Sequence, residues 1–197
     1  MLRLSRMIDL GTRAPKFTLP DGGGRTHSLD EIAGSKPVLV AFICNHCPFV
    51  KHMAGGLADF AREYQAKGLA VVAISSNDVA SHPEDGPREM AEFARSHDFT
   101  FPYLYDESQR VALDYGAICT PDLFLFDGER RLVYRGQFDS SRPDRNRPPL
   151  RTDLPVTGVD LRAAADAVLA GKALPKEQSA SAGCGIKWKP ENEPDWA

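Results

Sequence analysis

Six apolar residues in unbroken succession, Val38 to Ile43, run into Cys44-Asn45-His46-Cys47-Pro48, and from Phe49 an apolar repeat of three and four residues takes over. A strand that is apolar at every position has to be covered on both faces, so this segment is expected at the centre of a layered α/β sheet. The two thiols then fall at a strand-to-helix junction. There the unpaired N–H groups of the helix N-terminus carry partial positive charge, which favours thiolate over thiol on the first sulfur. His46 supplies a positive charge when protonated and a hydrogen bond to the sulfur when neutral. These residue types at this spacing point to a redox pair. Cys44 is expected as the nucleophile with a depressed pKa and Cys47 as a resolving thiol without one, their disulfide made more oxidising by His46.

Other chemistry is excluded by what surrounds the motif. A structural zinc site wants a second pair of ligands, and only isolated Cys119, Cys184, His27, His52, His82 and His97 remain, so no metal is expected. A c-type haem needs histidine directly after the second cysteine, where Pro48 stands, and no cofactor is expected. The net charge of −3 generates no field that would recruit nucleic acid or an anionic membrane, so neither partner is expected. The residues Met1 to Met7 carry positive charge without a following apolar stretch of signal-peptide type, and no run reaches membrane-spanning length. A cytoplasmic location is therefore expected, and four cysteines there indicate chemistry and not a disulfide scaffold.

With 197 residues, 42% of them hydrophobic, the chain has material for one domain, assigned to residues 8–172, followed by a tail over 173–197 that holds Cys184. Residues 11 to 29, with Pro15, Pro20 and the turn Asp21-Gly22-Gly23-Gly24, read as an N-terminal hairpin on the sheet edge, and Ser28 to Glu31 has capping-box spacing. Phe49, Val50, Met53, Leu57, Phe60, Ala61 and Tyr64 define a helix ending by Gly68, with Gly55-Gly56 as a place for a bend. Leu69 to Ser75 reads as a buried strand and Pro87 to His97 as a helix, so strand and helix alternate and the strands should pair in parallel. Phe101 to Tyr105 and Ser108 to Tyr115 are a further strand and helix placed before Thr120-Pro121. Leu123 to Phe126 and Arg131 to Arg135 read as a hairpin. Leu161, Ala164, Ala165, Val168 and Leu169 mark a last helix with a capping box over Thr157 and Asp160. The polar loop Ser140 to Val156, with Arg142, Arg145, Arg147 and Arg151, reads as a solvated loop because acids are interspersed and no aromatic side chain stands by to stack on a base.

Cys44-Asn45-His46-Cys47 after Val38-Leu39-Val40-Ala41-Phe42, together with Thr120-Pro121-Asp122 before a second apolar run, resembles the thioredoxin superfamily, in its redoxin branch of alkyl hydroperoxide reductase/thiol-specific antioxidant-like proteins. The likeness begins at Gly11 to Asp21 and Ser28-Leu29 and runs to about Gly171. It implies a thioredoxin-like α/β fold, a central mixed sheet flanked by helices, with an N-terminal hairpin extension and an inserted strand and helix. It implies that Pro121 is a cis-proline lying against the CxxC and that the backbone of Thr120 pairs with an extended substrate. Thioredoxins also bury a carboxylate in the strand before the CxxC, and here Ala41 takes that place, so another group has to accept the proton of Cys47. The expected function is thiol-disulfide oxidoreductase, with protein or small-molecule thiols and disulfides as substrates and thioredoxin reductase or the glutathione system as reducing partner. The alternatives are a thiol-dependent peroxidase and a redox-responsive binding module. Peroxiredoxins place Pro and Thr seven and three residues before the peroxidatic cysteine; Pro37 and Ala41 precede Cys44 at those distances, and Val40 and Cys44 precede Cys47.

Two further thiols complete the inventory. Cys119, next to Thr120, reads as a small buried hydrophobe or as an accessory thiol. The segment from Ala173 onward, rich in Ser, Ala, Gly, Lys and Pro, reads as a mobile tail. Within it Ile186 and Trp188 are apolar groups expected to dock near the CxxC and make Cys184 a third thiol, against the plainer reading of an uninvolved one.

Overall fold

A computed structural model describes residues 1–143 and 154–196. The elements are, in order, β1 (Leu2–Leu4), β2 (Thr18–Pro20), β3 (Thr26–Ser28), α1 (Leu29–Ala33), β4 (Val38–Phe42), α2 (Pro48–Ala66) and β5 (Ala70–Ser75). There follow α3 (Pro87–Ser96), β6 (Tyr103–Tyr105), α4 (Arg110–Tyr115), β7 (Cys119–Thr120), β8 (Asp122–Phe126), β9 (Leu132–Arg135), α5 (Val159–Leu169) and β10 (Ala182–Gly185). The central sheet has the order β6-β5-β4-β8-β9, with β4, β5 and β6 parallel and β8 and β9 antiparallel to their neighbours. This is the thioredoxin-like arrangement, with the all-apolar strand β4 in the middle.

Successive strand residues point to opposite faces, and each face has its own core. Leu39, Ala41, Ile43, Val71, Ala73, Leu123 and Leu125 pack with residues of α2, with Met90 of α3 and with Leu161 and Ala164 of α5. Val38, Val40, Phe42, Val72, Ile74, Phe124 and Phe126 pack with Leu29 and Ala33 of α1 and with Val111, Ala112 and Tyr115 of α4. Both cysteines of the CxxC belong to the first core. The N-terminal hairpin β2–β3 is turned by Asp21, whose side chain accepts hydrogen bonds from the Gly23 and Arg25 amides at 2.9 and 3.0 Å. It meets the edge strand β6 through a bridge between Asp21 and Leu104. The capping box forms: Ser28 Oγ accepts from the Glu31 amide at 3.2 Å, and the Glu31 carboxylate accepts from the Ser28 amide at 2.9 Å. Gly56 permits a close approach, since a Cβ there would lie 2.9 Å from Val156 Cγ1 and 3.1 Å from the Phe138 ring.

Two expectations are corrected. Thr157 and Asp160 do not box α5; Gly158 is its N-cap with a left-handed backbone. The Asp139 carboxylate instead accepts from the Thr157 and Gly158 amides at 2.7 and 2.6 Å, while Asp160 accepts from the Gln137 amide side chain. The larger correction concerns the tail. Residues 182–185 form β10, a strand between β1 and β7 in a second, three-stranded antiparallel sheet, with Cys184 opposite both Leu2 and Thr120. Small residues are what such a position demands, because a Cβ on Gly183 would lie 2.0 Å from the Thr120 carbonyl oxygen. The composition read as mobility is thus a requirement of close backbone packing. Arg145, Arg147 and Arg151 of the polar loop lie outside the described residues. Among the described residues no helix is long and apolar enough to cross a membrane.

Candidate active site

In a parallel pair the loops that follow both strands leave from the same end of the sheet, and ligands and catalytic groups collect there. The loop after β4 is Cys44 to Cys47, and the loop after β5 carries a 3-10 turn, Pro83–Asp85. The second loop fastens the first. Asp85, with no exposed side-chain surface, accepts from the Asn45 amide at 2.7 Å and the His46 amide at 3.1 Å through Oδ1. Its Oδ2 meets His46 Nδ1 at 2.6 Å and accepts from Asn77 Nδ2 at 2.7 Å. The Asn45 side chain donates to the Glu84 carbonyl at 2.9 Å, and the buried Tyr103 hydroxyl donates to Asn45 Oδ1 at 3.1 Å. His82 stacks on His46 with ring centroids 4.9 Å apart. Burial acts to raise the Asp85 carboxyl, yet the hydrogen bonds from His46 and Asn77 outweigh it and its pKa is lowered.

The other wall is the turn from β7 into β8. The Thr120–Pro121 peptide is cis, and it turns both polar groups of Thr120 to the sulfurs. Thr120 Oγ1 lies 3.2 Å from Cys44 Sγ, and Cys47 Sγ donates to the Thr120 carbonyl at 3.0 Å. His46 Nδ1 lies 3.8 Å from Cys44 Sγ. All four cysteines are thiols, and Cys44, Cys47 and Cys119 are fully buried, whereas Cys184 is partly exposed. Cys184 packs against the core that holds Cys44 and Cys47, and its thiol hydrogen-bonds the Cys47 sulfur. Cys119 lies 3.5 Å from the Pro121 carbonyl, and burial first, then Asp122, pushes its thiol up.

The electrostatics reverse the expected order of the two sulfurs. The Cys47 thiol is lowered, because Cys184 and Cys44 both hydrogen-bond it and together outweigh the cost of burial. The Cys44 thiol is pushed up by burial, by its hydrogen bond to Cys47 and by the Asp85 carboxylate. The helix N-terminus and His46 pointed to Cys44 as the favoured thiolate. What the sequence could not display is that His46 faces a buried carboxylate, so that no uncompensated positive charge is left for Cys44, and that a third thiol stands beside Cys47.

Thr120, Pro121, Cys44, His46, Cys47 and Cys184 thus come together in one place. Ile186 and Trp188 do not join them, for they pack against the core on the opposite face of the central sheet, with Trp188 edge-on to Trp196 at 6.2 Å. Polar contacts join that apolar packing in docking the C-terminal segment. Asn77 Oδ1 accepts from the Lys187 amide at 2.8 Å, and buried Gln109 donates to the Lys187 carbonyl at 2.8 Å while accepting from the Lys189 amide at 2.8 Å. Asp85, Asn77, Tyr103 and Gln109 carry no sequence signal of their own. The parallel pairing of β4 with β5 and β5 with β6 was the one lead to the first three. Cys44, His46 and Asp85 also offer three ligand atoms within 4.8 Å of one another. Both Asp85 oxygens are already saturated with donors, and the trio is complete as a hydrogen-bonded unit without an ion.

The AhpC/TSA family matches residues 10–135 of the chain. A hypothetical protein of Sinorhizobium meliloti, known from its crystal structure, is 51% identical, with 95% of this chain and 98% of that one covered at a TM-score of 0.87. A thiol:disulfide interchange protein of the thioredoxin family from Chlorobium tepidum shares the fold at 16% identity and a TM-score of 0.60, covering 82% of this chain and 98% of that one. Chloroplastic peroxiredoxin Q of Triticum aestivum is 31% identical over 117 residues, which are 59% of this chain and 49% of that protein. The chain spans about half the length of the first curated relatives it matches.

Proposed function

Because this chain belongs to the AhpC/TSA family, we propose that it is a thiol-disulfide oxidoreductase working through the Cys44/Cys47 dithiol by a mixed-disulfide mechanism. The observation that carries this reading is the Cys44–Cys47 pair set against a cis-proline, with each sulfur given a polar contact by Thr120. Thiolate attack on a disulfide sulfur forms the mixed disulfide, and the second thiol breaks it. Cys47, whose thiolate is the more stabilised, attacks, and Cys44 resolves. The proton of Cys44 leaves on the departing thiolate, while His46 Nδ1–H, held on the Asp85 carboxylate, lies 3.8 Å from the Cys44 sulfur. Asp85 thus fixes the imidazole beside the pair, from outside the strand that in thioredoxins carries the buried carboxylate. Thioredoxin reductase or the glutathione system in the cytoplasm serves as the electron source in this reading, and small or protein disulfides are the substrates.

A peroxidase reading is favoured by one observation, the Thr120 hydroxyl 3.2 Å from Cys44, where it could donate to a bound peroxide, and by the likeness to peroxiredoxin Q. The two are separated by mixing the reduced protein with glutathione disulfide or with hydrogen peroxide in stopped flow. The exchange reading expects a Cys44–Cys47 disulfide with glutathione disulfide, and peroxide oxidation no faster than that of an ordinary cysteine thiolate. Rapid peroxide consumption with sulfenic acid on either cysteine, and no exchange with glutathione disulfide, would assign the peroxidase instead.

A further inference from the structure

Cys44 and Cys47 have no exposed surface, so a disulfide arriving from solvent has no direct line to either sulfur. The backbone edge of Thr120 is also taken, because β10 pairs along it; while β10 is docked an extended peptide cannot add itself there. The cysteine that is both partly exposed and in contact with the pair is Cys184. Its place is built: Cys184 faces Thr120 in register, its thiol touches Cys47, and Cys47 in turn donates to the Thr120 carbonyl at 3.0 Å. Clamps on either side hold it there. Before the strand, the Ser5 amide donates to the Ser181 carbonyl at 2.9 Å and Ser181 Oγ donates to the Gly136 carbonyl at 2.6 Å. After it, Asn77 and Gln109 hold the backbone of Lys187.

Resting on the oxidoreductase reading, we propose that Cys184 is a third catalytic thiol, relaying disulfide exchange between a small external disulfide and the buried Cys44–Cys47 pair. The Cys184 thiolate attacks an external disulfide RSSR, forming Cys184–S–S–R and releasing RS⁻. Cys47 then attacks the Cys184 sulfur, forming Cys47–S–S–Cys184 and releasing the second RS⁻. Cys44 attacks the Cys47 sulfur, the Cys44–Cys47 disulfide forms, and Cys184 leaves as thiolate, ready for another round. Two electrons pass from the buried pair to RSSR, and the protons given up by Cys44 and Cys47 end on two molecules of RSH. Each step is a direct exchange between sulfurs already adjacent or tethered, where a thiol acts at an effective concentration near millimolar.

The test uses glutathione disulfide on the full-length reduced protein, with rapid alkylation at timed points and disulfides mapped by peptide mass spectrometry. In Cys44→Ser, which lacks the last step, a Cys47–Cys184 disulfide is expected to accumulate. In Cys184→Ser and Cys184→Ala, formation of the Cys44–Cys47 disulfide is expected to slow by about tenfold or more, since the buried pair must then wait for local opening. The relay is overturned if Cys44→Ser never yields Cys47–Cys184, or if both Cys184 variants oxidise at the wild-type rate. Cys184 variants that form Cys44–Cys47 at the wild-type speed remove the relay and leave the oxidoreductase standing. A wild type that never forms Cys44–Cys47 removes both.

Discussion

Two carboxylates without exposed surface flank the redox loop, and they answer burial in opposite ways. Asp85, in the loop after β5, is surrounded by four donors, from two backbone amides, an imidazole and a side-chain amide, and its pKa is lowered. Asp122, at the start of β8, accepts from the Ile118 amide at 3.2 Å through Oδ2, but its Oδ1 has no hydrogen-bond partner among the described residues. Burial there outweighs the available hydrogen bonds, and its pKa is pushed up to about 7. Neither side chain has exposed surface, but Asp122 lies deeper among apolar groups than Asp85. Depth and the donors together decide the charge, so Asp85 serves as a fixed anion that holds His46, whereas Asp122 is a group whose ionisation costs the fold.

The sharpest way to break this comparison is Asp122→Asn, which removes the ionisable group and keeps the shape. A carboxyl whose folded pKa is raised stabilises least when ionised, so its contribution falls as pH climbs from the unfolded value of about 3.9 towards about 7. The shift of about three units corresponds to about 4 kcal/mol as an upper figure. Urea unfolding should therefore find the variant more stable than wild type at pH 8, with the gap closing as pH falls to about 4; parallel profiles across that range would refute the assignment. Next in size is Asp85→Ala, expected to cost about 3 kcal/mol by leaving its donors unpaired in the interior. Because the folded pKa of Asp85 is depressed, the stability it gives is present above about pH 4 and is lost as pH falls through the folded value, so the variant should show a shallower acid limb. Ultraviolet thiolate titration of the same variant should find the Cys44 thiol moved down, since the carboxylate that opposes its ionisation is gone. An unchanged thiol would mean that burial and the hydrogen bond to Cys47 set it.

A smaller effect sharpens the count of donors. Asn77→Ala deletes one donor to Asp85 and one acceptor for Lys187, and about 1–2 kcal/mol should be lost in denaturant unfolding. No loss would show that the remaining three donors suffice. Smallest is Cys184→Ala, which takes a donor from Cys47 and so destabilises the reduced state. The reduction potential of the Cys44–Cys47 pair should fall by about 20 mV in a glutathione equilibrium, the equivalent of about 1 kcal/mol. A rise would show that Cys184 does not support the Cys47 thiolate.

What the sequence displayed was local. The β4 run, the capping box of Ser28 with Glu31, the repeat that became α2 and the Thr120–Pro121 turn each depend on neighbours within a few positions, and each is visible without tertiary structure. Asp85 was hidden, because nothing in Pro83-Glu84-Asp85-Gly86 says that parallel pairing will set it on His46. The reading of the C-terminal segment failed for a different reason. Low apolar content marks disorder only when side chains must do the holding, and β10 is held by backbone pairing at a spot where Gly183 has no room for a Cβ. The box over Thr157 and Asp160 was displaced by Asp139, a carboxylate from an earlier loop that reached the amides first in space.

The pairing of β10 with β7 also has a meaning in time. A ribosome delivers the chain N-terminus first at about 5–20 residues per second, so everything from β4 to β9 leaves it before Cys184 does. For some seconds the nascent protein holds its redox pair beneath an uncovered strand edge, at a moment when stray thiols and neighbouring chains are close at hand. Arrival of β10 closes that edge and gives β1, made before it, its pairing partner. The first and the last of the described strands are thus joined by the same event that shuts the sulfurs in.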